Sequence, residues 1–366
     1  MQLFCIGPFL QASVLQAVLG REVSENLMVA ETLSGFALAR ADRMGWPALY
    51  PMSEGQVRGQ LFSEATPEDW ANISFYADVL GLQRKEVGQS TAGSMVCVAP
   101  SSLDIAETGE QVAMSAEDID LAVEIAEEIM LYASNTPANH VARQLPRIQA
   151  RAASRVRGMN SKHGAHTSAG PIEQLSRKRA HGGFFAFDQI GMTHQTFRGG
   201  MSEPVAREVF VGTDAAILLP YDPVRDRVML VEQVRWGPWI RKDKTPWLLE
   251  PIAGLVDPGE TPEACALREA QEEAGLAVHS LHAVSECYAS PGAVSDFFYI
   301  YVGLCDLPDG VTGLGGLDGE GEDIRSHVFS FSDVMEMAER MEVAVAPLEV
   351  ALYWLSYHRD RLRAGG

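Results

Sequence analysis

The amino-acid sequence predicts an α+β protein with two domains. Short β-like runs and helical patterns occur in both halves of its 366 residues, and one domain usually holds roughly 150 residues. Residues 159–171, MNSKHGAHTSAGP, are small, polar and rich in glycine, which is the composition of a linker. Apolar residues make up 46% of the chain, enough for a sizeable core.

The N-terminal part is predicted to form one domain over residues 1–135. Its β-like runs are MQLFCIG, GQLF and SMVCVA, and QASVLQAVLG is an early helical pattern. Apolar residues then recur at helical spacing over residues 115–157, where Ser115 is a suitable N-cap. We therefore expect residues 136–174 to form a helical extension that ends in the linker.

The C-terminal part, residues 175–366, is predicted to form the second domain. The runs AAILLPY and RVMLVEQV flank the turn DPVRD and predict two antiparallel strands. WLLEPIAG, SLHAVSECYAS and DFFYIYVGLC predict further strands, whereas SFSDVMEMAERM and APLEVALYWLSYHRDRL predict two closing helices.

The formal charge of −20 argues against nucleic acids and anionic membranes as partners. Anionic small molecules remain possible because a bound cation can reverse the local field. No stretch approaches the roughly 18 apolar residues of a membrane span. The cysteines are scattered and form no CxxC pair, and the N-terminus lacks a basic signal region, so we expect a reducing, cytoplasmic location.

One predicted helix carries an acidic face. Thr261 is a good N-cap, Pro262 suits the first helical position and Gly275 suits a left-handed stop, so the helix should cover residues 262–274. Its apolar face is expected to be buried, with Glu273 on an exposed face. The apolar face consists of Ala266, Leu267, Ala270 and Ala274. The acidic face consists of Glu269, Glu272 and Glu273.

Like charges three and four residues apart on a helix repel each other. An acidic helix face exposed to solvent is nevertheless common and does not by itself indicate a site. The spacing from Gly254 through Glu260 to the run Arg268–Leu276, REAQEEAGL, resembles the Nudix box. By average residue usage, such a match arises by chance on the order of once in 10⁷ chains. The resemblance implies metal-assisted hydrolysis of a nucleoside diphosphate derivative, in a C-terminal α/β/α sandwich.

The resemblance extends from about Leu175 to the C-terminus and is to bacterial ADP-ribose pyrophosphatases. FRGGMSEPVAREVF, LLPYDPVRDRVMLVEQVR, TPWLLEPIAG, ASPGAVSD and GEGEDIRSHV carry it, and Pro291 is the subfamily's marker proline. It implies that ADP-ribose and water yield AMP and ribose 5-phosphate, with Mg²⁺ or Mn²⁺ as cofactor. WGPWIRKDKTPW departs from the family pattern and leaves the preferred ADP-sugar open.

The resemblance also implies roles for individual residues. The backbone carbonyl of Ala253 and the carboxylates of Glu269, Glu273 and Glu322 would be metal ligands, and Glu320 would be the general base. Arg268 would orient the glutamates.

Two further arginines are implied to bind the substrate. Arg235 would hold a phosphate, and Arg207 would reach the substrate across a domain-swapped homodimer. Two alternatives stay open: hydrolysis of another nucleoside diphosphate derivative, and a non-catalytic module that binds ADP-ribose.

Residues 1–100 resemble the γ-glutamylcyclotransferase-like (AIG2-like) fold, which implies a β-barrel. The family's opening Tyr-Gly-Thr/Ser-Leu is replaced by Ile6-Gly7-Pro8-Phe9, and Tyr76 follows Phe75 where the family has its catalytic glutamate. Both changes argue against cyclotransferase activity. The fusion to a Nudix domain resembles tellurite-resistance (TrgB-type) proteins, which is an association and implies no mechanism.

Overall fold

The structure is a computed structural model, which describes residues 1–39, 44–90, 93–100, 113–161, 170–316 and 322–364. The chain forms two compact units, Met1–Glu208 and Val209–Gly366. The second domain was predicted to begin at residue 175, so the assignment of residues 175–208 to the Nudix domain stays a prediction. No helix among the described residues is long and apolar enough to cross a membrane.

The first unit contains a five-stranded sheet in the order β2-β3-β1-β5-β4. Its strands are β1 (Gln2–Cys5), β2 (Met28–Leu38), β3 (Leu49–Phe62), β4 (Leu82–Ser90) and β5 (Gly93–Pro100). Within the described residues the edge strands β2 and β4 do not pair with each other, so the expected β-barrel is unconfirmed.

Two short 3₁₀ helices, Gly7–Leu10 and Glu25–Leu27, also belong to the first unit. Among its described residues, five α-helices and a three-stranded sheet complete it. They are α1 (Ala12–Leu19), α2 (Pro67–Leu80), α3 (Ala116–Met130), α4 (Ala138–Ala142), α5 (Leu145–Met159), β6 (Ile172–Gly182), β7 (Ala186–His194) and β8 (Val205–Val211). Helix α2 was not among the predicted elements, although Thr66 and Asp69 form a reciprocal capping box at its start. Residues 162–169 of the expected linker lie outside the described residues.

The second unit is an eight-stranded mixed sheet with helices on both faces, as expected for a Nudix-like sandwich. Its elements are β9 (Asp214–Asp222), β10 (Arg227–Val234), α6 (Trp236–Arg241), β11 (Trp247–Glu250), β12 (Ile252–Leu255), α7 (Pro262–Ala274), β13 (Val278–Tyr288), β14 (Phe297–Cys305), β15 (Leu314–Gly315), β16 (Ile324–Ser330), α8 (Phe331–Glu339) and α9 (Ala346–Ala364).

Strand alternation separates two cores in this unit. Leu218 and Val231 lie in the core under α7, whereas their neighbours Leu219 and Leu230 lie in the core that α8 and α9 cover. The predicted strand WLLEPIAG is two strands in the structure, because Pro251 has no N–H to donate. β11 pairs with β10, and β12 pairs with β9.

A buried charge network holds the first unit together. Glu128 of α3 accepts hydrogen bonds from Arg151 (2.7 Å), Arg155 (2.8 Å) and Arg179 (3.0 Å), which lie on α5 and β6. Burial alone would raise the pKa of Glu128, but the three guanidinium charges lower it overall. The carboxylate therefore stays ionised and joins the helices to the β6–β7 hairpin.

We predict that Glu128→Ala destabilises the protein by about 3–5 kcal/mol, because it leaves buried guanidinium groups without their counter-charge. Urea unfolding of the full chain measures this effect. Glu117→Ala, which removes an exposed glutamate from the same helix, serves as the control and should cost less than about 1 kcal/mol. Equal unfolding midpoints for the two variants would contradict the importance of the network.

Candidate active site

The box helix α7 begins and ends where the sequence predicts. Thr261 Oγ1 accepts a hydrogen bond from the Ala264 N–H (3.2 Å), and Gly275 ends the helix with φ of +62°. Cys265, Ala266 and Ala270 of this helix are buried. Leu267 was expected on that face but is 43% exposed, because Cys265 occupies the inward position and each residue turns the helix by about 100°.

Arg268 joins three carboxylates on one side of α7. Its Nε and Nη2 each donate to Glu260 at 3.0 Å, and its Nη1 donates to Glu269 at 2.6 Å and to Glu272 at 3.0 Å. The resemblance implied such an orienting role. Arg268 therefore offsets much of the repulsion among these glutamates within the protein itself.

Glu269 lies against the backbone of β12. A Cβ on Gly254 would be 1.8 Å from Glu269 Oε1, so only glycine leaves room for this carboxylate. Gly254 belongs to β12, and Ala253 directly precedes it. Burial raises the pKa of Glu269, and the Arg268 charge opposes that shift. This close approach brings a carboxylate next to the strand that contains Ala253.

Glu273 is buried, and the expectation of an exposed side chain was wrong. It is 3% exposed because β15 covers the C-terminal end of α7, where a Cβ on Gly315 would lie 1.9 Å from the Glu273 carbonyl oxygen. Its Oε2 is buried without a hydrogen-bond partner among the described residues. Burial, followed by the charges of Glu269 and Glu322, raises the pKa of Glu273 to about 8.

Glu322 lies two residues before the start of β16 and near this pair. A Cβ on Gly316 would be 2.8 Å from the Glu322 Cβ, and Glu322 raises the pKa of both Glu269 and Glu273. The structure thus brings together the three glutamates that the resemblance implied as ligands. Glu320 lies outside the described residues.

Arg235 also belongs to this site. It follows β10, and its positive charge lowers the pKa of Glu273. Its Nε donates to Glu250 (2.7 Å), a residue that the sequence analysis did not single out. The available signal was one acidic residue in the apolar run WLLEP.

Arg207 lies in β8 and in the first compact unit. It is exposed and donates to the Ala206 carbonyl oxygen (2.8 Å). Its proposed action across a dimer stays a prediction.

The donor set suits a hard divalent cation. Carboxylates and a backbone carbonyl are the oxygen ligands that Mg²⁺ and Mn²⁺ take, and an unpartnered buried carboxylate oxygen is a group that needs a positive partner. Among the residues that the structure describes, no three acidic, histidine or cysteine side chains are already arranged as a complete metal site.

Comparison with known proteins agrees with this geometry. The family profile described as the NUDIX domain matches residues 212–348. An ADP-ribose pyrophosphatase of Escherichia coli (strain K12) is 42% identical over 192 residues, which are 52% of this chain and 91% of that protein. An ADP-ribose pyrophosphatase of Haemophilus influenzae is 36% identical over 200 residues, 54% of this chain and 92% of that protein.

Two matches of lower sequence identity carry other descriptions. A GDP-mannose pyrophosphatase of Salmonella arizonae is 33% identical over 148 residues, 40% of this chain and 76% of that protein. A solved structure of an ADP compounds hydrolase has a TM-score of 0.42 and 22% identity, and covers 55% of this chain and 99% of its own. On the sequence matches, the chain belongs to the Nudix family.

We predict that Glu273→Gln lowers kcat more than tenfold, which corresponds to about 1.4 kcal/mol. The same change should stabilise the metal-free protein at high pH. The folded-state pKa of about 8 exceeds the usual value of 4.5, so the wild type loses stability as pH rises from about 4.5 to about 8, whereas glutamine does not ionise.

Activity assays and urea unfolding in a chelator, at about pH 5 and about pH 9, measure both effects. Glu339→Gln, the same change at an exposed position of α8, should alter neither. A Glu273→Gln variant that kept more than about a tenth of wild-type kcat would remove Glu273 from the proposed machinery.

Proposed function

We propose that the chain hydrolyses ADP-ribose to AMP and ribose 5-phosphate. The substrate is supported by the relatives named ADP-ribose pyrophosphatase, 91% and 92% of whose lengths this chain covers. The chemistry is supported above all by one observation, the buried and unpartnered carboxylate oxygen of Glu273 beside Glu269 and Glu322.

Ala253, Glu269, Glu273 and Glu322 would hold Mg²⁺ or Mn²⁺, with Gly254 giving the carboxylate of Glu269 its room. When bound, the cation supplies the positive charge that neutralises the diphosphate and assists attack by water at phosphorus. Arg268 keeps Glu269 and Glu272 in place. These residues thus supply oxygen ligands that the fold holds in place before a cation binds.

Glu320 is proposed as the base that takes the proton from the attacking water, so that the hydroxyl oxygen bonds to phosphorus and the other phosphate leaves. Glycines at 319 and 321 flank Glu320 in the sequence. Arg235 is proposed to hold a phosphate with the part of its guanidinium that Glu250 leaves accessible, since its side chain is 41% exposed.

The activity test is a substrate panel. We predict that the purified chain releases AMP and ribose 5-phosphate from ADP-ribose faster than it cleaves ADP-glucose, a dinucleotide or GDP-mannose, and that a chelator abolishes release. GDP-mannose is included because a relative with that activity in its name is 33% identical. Preferential cleavage of another compound would assign the alternative substrate, and binding of ADP-ribose without turnover would favour a non-catalytic module.

We further propose a homodimer in which Arg207 serves the partner's site. The position of Arg207 in β8, with its guanidinium exposed, leaves it accessible to a second copy. The supporting resemblance is the segment FRGGMSEPVAREVF.

A mixing experiment tests the dimer. We predict that Arg207→Ala and Glu273→Gln are each nearly inactive alone. Subunit exchange between them should restore about a quarter of wild-type activity, because half of the dimers are mixed and each mixed dimer has one intact site. Light scattering should show a dimer for both variants. An active monomer, or no recovery after demonstrated exchange, would refute this arrangement.

The N-terminal module is proposed to be cyclotransferase-like in fold but without that activity. Tyr76, at the place of the family's glutamate, is 1% exposed and stacks on Phe9 at 5.8 Å between ring centroids. Trp46 contacts both rings. Aromatic packing thus fills the region where a catalytic carboxylate would be needed. A cytoplasmic location and a link to tellurite resistance remain proposals from the sequence.

A further inference from the structure

Glu250 is an acidic residue at an apolar position of the sheet. It ends β11 and lies directly opposite Val231 of β10. Directly opposed residues of antiparallel strands point to the same face, and Val231 belongs to the core under α7. Glu250 is 8% exposed. A carboxylate buried in such surroundings costs free energy unless a charged group pairs with it.

Arg235 is the group that pairs with Glu250. Its Nε donates to Glu250 Oε2 at 2.7 Å, and among the described residues the Arg235 side chain has no other hydrogen-bond partner. Burial raises the pKa of Glu250, and the charge of Arg235 opposes this shift. Because the Arg235 side chain is 41% exposed, part of the guanidinium remains open to a ligand.

The pair lies on the side of the sheet where the proposed chemistry occurs. Glu250 shares the face of Val231, which packs with Ala266 and Ala270 of the box helix. The positive charge of Arg235 opposes the rise in the pKa of Glu273. A buried acid close to a site for an anionic diphosphate would repel that substrate if it were not neutralised, and an apolar residue would pack there at lower cost.

We propose that Glu250 is a positioning residue that fixes the guanidinium plane of Arg235, so that its free N–H groups meet a phosphate of the substrate. This inference rests on the proposed function. A guanidinium is a planar fork, and engaging Nε leaves the two Nη groups for paired contacts with phosphate oxygens. The rotamer entropy of a free arginine is then lost on folding and not on substrate binding.

A double-mutant cycle separates this role from a merely structural ion pair. Glu250→Leu should raise KM for ADP-ribose about tenfold and leave kcat within about twofold, because a disordered Arg235 weakens phosphate binding. In an Arg235→Ala background the same change should have no further effect on kcat/KM. Glu250→Gln, which keeps the acceptor for Nε, should stay within about threefold of wild-type KM.

The control removes another paired glutamate from the adjacent strand. Glu232 of β10 contacts His327 at 2.8 Å. The direct partner of Glu232, Leu249, is partly buried and packs against the core on the opposite face of the sheet. Glu232→Leu should therefore leave KM unchanged. Urea unfolding shows whether each variant is folded under the assay conditions.

Independent effects of the two changes in the cycle would overturn the proposal, as would an unchanged KM for folded Glu250→Leu. A wild-type protein that cleaves no diphosphate would instead refute the proposed function. In that event the same cycle is measured as ADP-ribose affinity by titration calorimetry. Weakening by Glu250→Leu only when Arg235 is present would support positioning, and weakening in both backgrounds or in neither would reject it.

Discussion

The stability of the active-site helix α7 depends on the guanidinium group of Arg268, which pairs with several carboxylates. Arg268 contacts Glu260, Glu269 and Glu272, and two unit charges about 4 Å apart interact by roughly 4 kcal/mol at an effective dielectric of 20. Without Arg268, α7 would carry uncompensated repulsion in every metal-free molecule. With it, Glu269 is held against Gly254, while Glu273 keeps an unpartnered oxygen. Arg268 therefore stabilises the helix, while the carboxylate of Glu273 keeps an oxygen available for the proposed chemistry.

The segment between β10 and α7 positions two further residues of the site. The strand partner changes at Pro251, because β11 before it pairs with β10 and β12 after it pairs with β9. Side chains alternate through this change, and both Glu250 and Gly254 lie on the side of the α7 core, opposite Val231 and Ala216 respectively. One run of five residues thus supplies a partner for Arg235 and a gap for Glu269. An apolar strand without the proline and the glycine would provide neither.

Sequence patterns predicted the elements whose signals are local. The capping residues and Gly275 predicted α7, and two apolar runs on either side of a turn predicted β9 and β10, because these signals depend on neighbouring residues. Burial of Glu273 was not predictable, since it depends on β15, which is distant in the chain and two residues long. The helical pattern over 115–157 was interrupted because Pro137 begins a new helix after a turn. The pairing of Glu250 with Arg235 required the register of two strands, which composition does not specify.

Charge at the site explains how an acidic protein can act on an anionic compound. Among the residues that the structure describes, the carboxylates around Arg235 and Arg268 are those of Glu250, Glu260, Glu269, Glu272, Glu273 and Glu322. Each arginine is already paired with at least one of them. A diphosphate entering this surplus of negative charge would be repelled unless cations accompanied it. The proposed function therefore requires a divalent cation for substrate binding as well as for hydrolysis.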